Sequence, residues 1–269
     1  MKTLPPKIIT SVLSVCIFFT ALSHAEIMIP TPPVVAAKGY ILMDAHTGKV
    51  LIEQNADDPL DPASLTKIMT DYVIADALMA GKVKPTDLVP ISSKAWKTGG
   101  SRMFVQVNTS VSVDDLMRGI TIQSGNDASV AMAEYLAGSE EAFANLMNLH
   151  AQKIGMNNTH FENATGLPGK NHHTTARDLA LLSKALIHNF PDNYKLYSQK
   201  EFTYNSITQP NRNLLLYRDN SVDGIKTGFT EEAGYCLVAS AKRDQMRLIS
   251  VVMGTKSPEA RAAESLKLL

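Results

Sequence analysis

Tyr235-Cys236-Leu237-Val238-Ala239-Ser240 and Arg247-Leu248-Ile249-Ser250-Val251-Val252-Met253 are two apolar runs of strand length with a polar turn between them. They read as neighbouring strands. Cys236 is a buried strand residue in this reading. Upstream, Val222-Asp223-Gly224-Ile225 leads into Lys226-Thr227-Gly228 as a strand edge, and Leu214-Leu215-Leu216 reads as a further strand. At the other end of the chain, Tyr40-Ile41-Leu42-Met43 and Val50-Leu51-Ile52 flank His46-Thr47-Gly48-Lys49 and predict a β-hairpin.

Between these ends the texture is helical. Asp61-Pro62 opens a helix, with Asp61 as N-cap and Pro62 in the first helical position. Ser112-Val113-Asp114-Asp115 and Thr175-Ala176-Arg177-Asp178 are capping patterns before apolar residues at helical spacing. Ala128 to Leu136 and Glu140 to Ile154 carry the same periodicity. A last amphipathic helix begins near Pro258 and is still running at Leu269. Strands at both ends and helices between predict an α+β fold: one antiparallel sheet built from both chain ends, covered by helices, with a largely helical insertion.

The chain has 269 residues, enough for a large core, and balances 26 basic against 26 acidic residues. That balance offers no basic stripe for nucleic acid. Lys2 and Lys7, the apolar Ile8 to Leu22 and Ser23-His24-Ala25 read as a signal peptide over 1–25, so export to the periplasm is expected. Residues 26–38, with Pro30, Pro32 and Pro33, read as an extended arm before one domain over 39–269. Cys16 lies in the leader, leaving Cys236 without an internal disulfide partner.

Three short motifs carry chemistry. Ser64-Leu65-Thr66-Lys67 is the only Ser-x-x-Lys, and Ser124-Gly125-Asn126 the only Ser-x-Asn. Ser64 and Lys67 share a face one helical turn apart, so the lysine can take the serine's proton once burial makes its neutral form accessible. Ser64 also lies at the positive end of its helix. Ser124-Gly125-Asn126 falls between two helical segments, where a loop can aim a hydroxyl and an amide into a cleft; a helix N-cap is the ordinary alternative for these residue types. Lys-Thr-Gly occurs twice. Lys97-Thr98-Gly99 lacks strand alternation and reads as a loop, whereas Lys226-Thr227-Gly228 can bind a carboxylate, with Gly228 permitting close backbone approach.

In order and setting these motifs resemble the penicillin-recognising acyl-serine transferases. With Pro62 to Lys67, Gln123 to Ala128, Asn211-Arg212-Asn213 and Val222 to Gly228 taken together, the chain is similar to the low-molecular-mass penicillin-binding proteins that act as D-alanyl-D-alanine carboxypeptidases. The resemblance implies that Ser64 attacks the bond between the two D-alanines of a peptidoglycan stem peptide, with Lys67 as general base and Ser124 in proton relay. It implies an oxyanion hole from the backbone N–H groups of Ser64 and Phe229. Substrate would be held by Asn126, Lys226, Thr227, Gly228 and Arg212, with β-lactams as covalent inhibitors and neither cofactor nor metal required.

Two departures are visible. Phe229 stands where relatives often carry histidine, and Trp96 to Phe104 is shorter than usual. Relatives often continue into a β-rich second domain and an anchoring helix; no membrane anchor is expected in this chain. A β-lactamase would share the motifs, but Glu162-Asn163-Ala164-Thr165 lacks the Glu-x-x-Asn that activates its hydrolytic water. A non-catalytic peptidoglycan-binding protein is the alternative from another class. A zinc peptidase fails because His172-His173 lacks metal-ligand spacing with an acid.

Overall fold

The computed structural model describes residues 2, 31 and 33–269, and Pro33–Leu269 form one compact unit. The leader and most of the arm lie outside the described residues. The strands, in chain order, are β1 (Gly39–Asp44), β2 (Val50–Gln54), β3 (Leu88–Pro90), β4 (Ser110–Ser112), β5 (Glu201–Tyr204), β6 (Ile207–Pro210), β7 (Val222–Thr230), β8 (Gly234–Arg243) and β9 (Met246–Thr255). The helices are α1 (Lys67–Met79), α2 (Ser93–Lys97), α3 (Val113–Thr121), α4 (Asn126–Ala137), α5 (Glu140–Ile154), α6 (Ala176–Asn189), α7 (Pro191–Tyr194), α8 (Leu215–Arg218) and α9 (Pro258–Leu268).

The expected sheet is present, with strand order β2-β1-β9-β8-β7 and antiparallel pairing throughout. Its two halves come from opposite ends of the chain, joined where Ile41 pairs with Val251. Successive residues of β8 and β9 serve different layers. Cys236, Val238, Ile249, Val251 and Met253 enter the main core with Ile68 of α1 and Leu182 of α6. Leu237 and Ala239 pack with Ala262 of α9, and Val252 packs with Leu268. Burial on both faces explains why these strands are apolar at nearly every position. The last arm residues lie along this layer: Val35 packs with Val252 and Leu268, and Lys38 N–H donates to the Met253 carbonyl at 2.9 Å.

Residues between β2 and β7 form the helical insertion. It has its own core of Ile74, Val89, Val105, Leu116, Ile120 and Met132. Ser112, Ser139 and Thr175 cap α3, α5 and α6 by accepting N–H bonds from Asp115, Ala142 and Asp178.

Two local expectations are corrected. Leu214-Leu215-Leu216 is not a strand: Asn213 Oδ1 accepts the Leu215 N–H at 3.1 Å and starts the short helix α8. Asp61 does not cap a helix beginning at Pro62. A 3₁₀ turn, Ala63–Thr66, precedes α1 instead, with Leu65 N–H bonded to the Pro62 carbonyl and no side-chain cap. Among the described residues, no helix is long and apolar enough to cross a membrane.

Candidate active site

The three motifs converge where the 3₁₀ turn and α1 face the sheet's edge strand β7. Because the first turn is 3₁₀, residues three apart nearly eclipse, and the spacing of Ser64 and Lys67 becomes direct contact. Lys67 Nζ lies 3.0 Å from Ser64 Oγ. It also donates to Asn126 Oδ1 at 2.7 Å and to the Thr165 carbonyl. The side chain is fully buried. Burial, with a smaller contribution from Arg212, brings the ammonium down to about 7 against the pull of Asp71 and Asp127. A lysine so placed can serve as a base near neutral pH.

Ser124 sits in the α3–α4 connection and adopts a left-handed φ of 62°, uncommon for a non-glycine residue. Ala63, beside the nucleophile, does the same with φ 47°. Strained backbone on both sides of one cleft is a mark of functional sites. Neither Ser124 nor Asn126 caps α4: Gly125 is its N-cap, without a side-chain bond. Asp127 is instead spent on the N–H groups of Met103, Phe104, Val105 and Ala128. That leaves Ser124 for the cleft, while Asn126 lies behind it, its Oδ1 bonded to Lys67 and its Nδ2 to the Gly99 carbonyl.

Lys226 of β7 is buried and donates to Ser124 Oγ at 3.0 Å and to the Thr227 carbonyl at 3.1 Å. Burial, then Lys67 and Arg212, press its ammonium well below its ordinary range. Gly228 has a structural reason of its own. A Cβ there would stand 3.2 Å from both the Pro62 carbonyl oxygen and Leu65 Cγ, so the strand rides directly on the nucleophile's turn.

Ser64, Ser124, Thr227, Gly228, Phe229 and Arg212 all line one cleft of about 260 Å³, joined by Ser101, Tyr235, Pro258 and Arg261. Arg212 Nη1 donates to Ser101 Oγ at 2.6 Å, which holds the guanidinium at the rim. Phe229 is exposed and stacks on Tyr235, ring centres 4.2 Å apart.

The loop after α2 contributes what its sequence did not announce. Lys97 closes α2 facing solvent, but the Gly99 carbonyl accepts from Asn126 Nδ2 at 2.7 Å and Ser101 O from Asn126 N–H at 2.7 Å. Arg261 is another residue that sequence reasoning missed. It is nearly buried, donates to the Gly228 carbonyl at 3.1 Å and lies over the Tyr235 ring. Its signal was a cation sharing the inward face of α9 with Ala262, Ser265 and Leu268.

His172 is buried as well. Its Nδ1 accepts the Glu162 N–H at 2.9 Å, so Nε2 carries the proton to Thr66 Oγ1 at 2.9 Å, directly before Lys67. Both ring nitrogens are thus engaged within the protein. Glu162 does not line the cleft; its Oε1 accepts the Asn171 N–H.

A profile of the D-alanyl-D-alanine carboxypeptidase family matches residues 26–257. The D-alanyl-D-alanine carboxypeptidase DacA of Escherichia coli K12 is 52% identical over 269 residues, covering 95% of this chain and 66% of its own length. This chain therefore spans just under two thirds of that relative. The crystal structure of DacD from Francisella tularensis superposes with a TM-score of 0.89 at 40% identity, over 90% of this chain and 71% of that one. Penicillin-binding protein D2 of Listeria monocytogenes, solved with ampicillin bound, gives 0.82 at 31% identity, over 89% and 98%. These matches extend over nearly the whole described unit, and the chain belongs to the D-alanyl-D-alanine carboxypeptidase family.

Proposed function

We propose that this chain is a serine-type D-alanyl-D-alanine carboxypeptidase that shortens peptidoglycan stem peptides and is acylated by penicillins at Ser64. One observation carries the reading: Ser64 Oγ lies 3.0 Å from a buried lysine held near neutrality, in a cleft whose other wall is cationic. In this reading Lys67 takes the Ser64 proton as Oγ attacks the carbonyl between the two D-alanines. The developing oxyanion sits between the N–H groups of Ser64 and Phe229, each worth about 3 kcal/mol at the transition state. The proton taken up by Lys67 is relayed through Ser124, itself bonded to Lys226, to the departing amine of the terminal D-alanine. That residue's carboxylate is held by Arg212 and Thr227, with Arg261 behind them and Asn126 positioning the substrate. Water then attacks the acyl-enzyme, and Lys67 takes its proton and delivers it to Ser64 Oγ as the ester bond breaks and the shortened peptide leaves.

The leader over 1–25 supports export to the periplasm, and one catalytic domain over 39–269 is part of the same reading. The placement of Glu162 away from the cleft counts against a rapidly deacylating β-lactamase. The test is a time course of intact mass after adding penicillin, with Ser64→Ala alongside and D-alanine release from a D-Ala-D-Ala peptide as the second readout. A persistent stoichiometric adduct that needs Ser64, together with D-alanine release, is expected. Rapid loss of the adduct with penicilloate accumulating would favour a β-lactamase. No adduct on a folded chain would favour a wall-binding protein.

A further inference from the structure

The connection between α5 and α6 holds a side chain that the mechanism above leaves unused. Lys67 Nζ has three partners: Ser64 Oγ at 3.0 Å, Asn126 Oδ1 at 2.7 Å and the Thr165 carbonyl. The last two are oxygens without a proton, so they can only accept. A lysine ammonium has one N–H for each of the three. The neutral amine has two N–H groups and one lone pair. With the two carbonyl oxygens taking the N–H groups, the lone pair is left for Ser64 Oγ. The direction in which Lys67 acts as a base therefore depends on where those two carbonyls point.

The Asn126 amide is held by the Gly99 carbonyl, and the Thr165 carbonyl is held from behind by Asn163. Asn163 Oδ1 accepts the Gly166 N–H at 2.8 Å, the Thr165 N–H at 3.1 Å and the Thr165 hydroxyl at 2.9 Å. Its Nδ2 donates to the Leu167 carbonyl at 2.9 Å, which commits the other end of the amide. The Thr165 C=O and the Gly166 N–H belong to one planar trans peptide and point in opposite directions. Anchoring that N–H on Asn163 thus aims the C=O at Lys67. Gly166 has a φ of 83°, and a Cβ there would collide with the Ala63 carbonyl, so this peptide is seated against the nucleophile's own turn. Asn163 itself is half-buried and is not among the residues that line the cleft. The preceding peptide is tethered independently, since Thr70 of α1 donates to the Ala164 carbonyl at 2.7 Å.

We propose that Asn163 is a positioning residue for the general base: by fixing the Thr165–Gly166 peptide it keeps the Thr165 carbonyl on one Lys67 N–H and turns the lone pair of neutral Lys67 toward Ser64. The inference rests on the proposed serine–lysine chemistry.

The test follows acylation by a fluorescent penicillin at about pH 8.5, where Lys67 is mostly neutral. Saturation kinetics separate the pre-acylation dissociation constant from the first-order acylation rate for the parent, Asn163→Ala, Asn163→Leu and Asn163→Asp. Alanine and leucine remove the acceptor, whereas aspartate keeps an oxygen for the same two N–H groups. The apolar variants should lose about ten- to a hundredfold in the first-order rate, the scale of a misaligned catalytic group. Their dissociation constants should match the parent's, labelling at saturation should stay stoichiometric, and Asn163→Asp should recover most of the rate. An apolar variant that acylates at the parent's rate overturns the proposal, and so does a loss that appears only as weaker binding or as an unlabelled fraction. A fall in Asn163→Asp equal to that of the apolar variants overturns the role of the oxygen. If Asn163→Ala loses cooperative unfolding, Asn163→Leu, close to asparagine in volume, decides by the same criterion. A parent chain that takes no penicillin adduct defeats the proposed function itself, so the two failures are separable.

Discussion

The cleft has two walls, each built around a buried lysine with a serine hydroxyl at 3.0 Å, yet the two lysines are differently supplied with charge. Lys67, on the helical wall, has Asp71 and Asp127 to support its cation and chiefly Arg212 to oppose it. Lys226, on the strand wall, has Lys67, Arg212 and Arg261 against it and only Asp71 in its favour. One wall has two carboxylates acting on its lysine; the other assembles cations around a lysine that only one carboxylate favours. The helical wall can therefore exchange a proton without help. In the proposed reading the strand wall is completed by the substrate's carboxylate at Arg212 and Thr227, a negative charge that favours the Lys226 cation. In that reading the same residue type is the base on one side and the partner of Ser124 beside an anion site on the other, by neighbourhood alone.

The most severe way to break this comparison is to remove the group that both walls serve. Ser64→Ala should abolish covalent labelling by penicillin altogether, while the mutant unfolds as cooperatively as the parent. Intact mass and thermal melting measure the two, and any retained adduct would remove Ser64 from its role. Next in size, Lys67→Ala should slow acylation about a thousandfold, in the range of a lost general base. In the parent, acylation should fall about tenfold per pH unit below pH 7, since Lys67 sits at about 7 and only its neutral form can accept the proton. A rate that stays flat from neutral pH into acid would mean that Lys67 does not gate the step.

The helical wall should also be where acid does its damage. Burial pushes the His172 imidazole down to about 4, from an ordinary 6.5. Between those values the unfolded chain binds a proton that the folded chain refuses, so stability rises with pH there. The contribution of neutral His172 is complete above about pH 6.5 and is lost progressively toward pH 4. The span corresponds to about 3 kcal/mol. His172→Gln, which cannot take up that proton, should flatten the acid slope of Tm against pH. A slope identical to the parent's would assign acid sensitivity elsewhere.

Much of this arrangement was legible in the sequence, and the reasons are local. The sheet announced itself because β8 and β9 are buried on both faces and so are apolar throughout. Ser64 and Lys67 were readable because three-residue spacing brings side chains together in a 3₁₀ turn as in an α-helix. What escaped was set by distant or backbone partners. Arg261 reaches the cleft because α9 folds back on β7, and the Thr165 carbonyl that holds Lys67 has no side-chain signature. Asp71 looked like one polar residue of a helix, although its partners Thr121 and Tyr197 lie far along the chain. Leu214-Leu215-Leu216 misled because an asparagine bond, and not apolar content, decides that segment.

The smallest effect is expected at Arg212, and it separates the walls most sharply. Arg212 is exposed at the rim, fixed by Ser101, and meets only the substrate's carboxylate in the proposed pose. Removing one charge-assisted bond from a partly solvated site should cost about 1.5–3 kcal/mol, a ten- to hundredfold loss in kcat/KM for a D-Ala-D-Ala peptide. Because Thr227 and Arg261 remain, binding weakens without vanishing. The loss should depend on the ligand: with the terminal carboxylate converted to an amide, parent and Arg212→Ala should react at similar rates, both slow. Lys67→Ala should show no such convergence, because its proton transfer is needed whatever the substrate's end. If Arg212→Ala is as harmful with the amide as with the acid, the strand wall does more than bind an anion, and the division of labour between the two lysines fails.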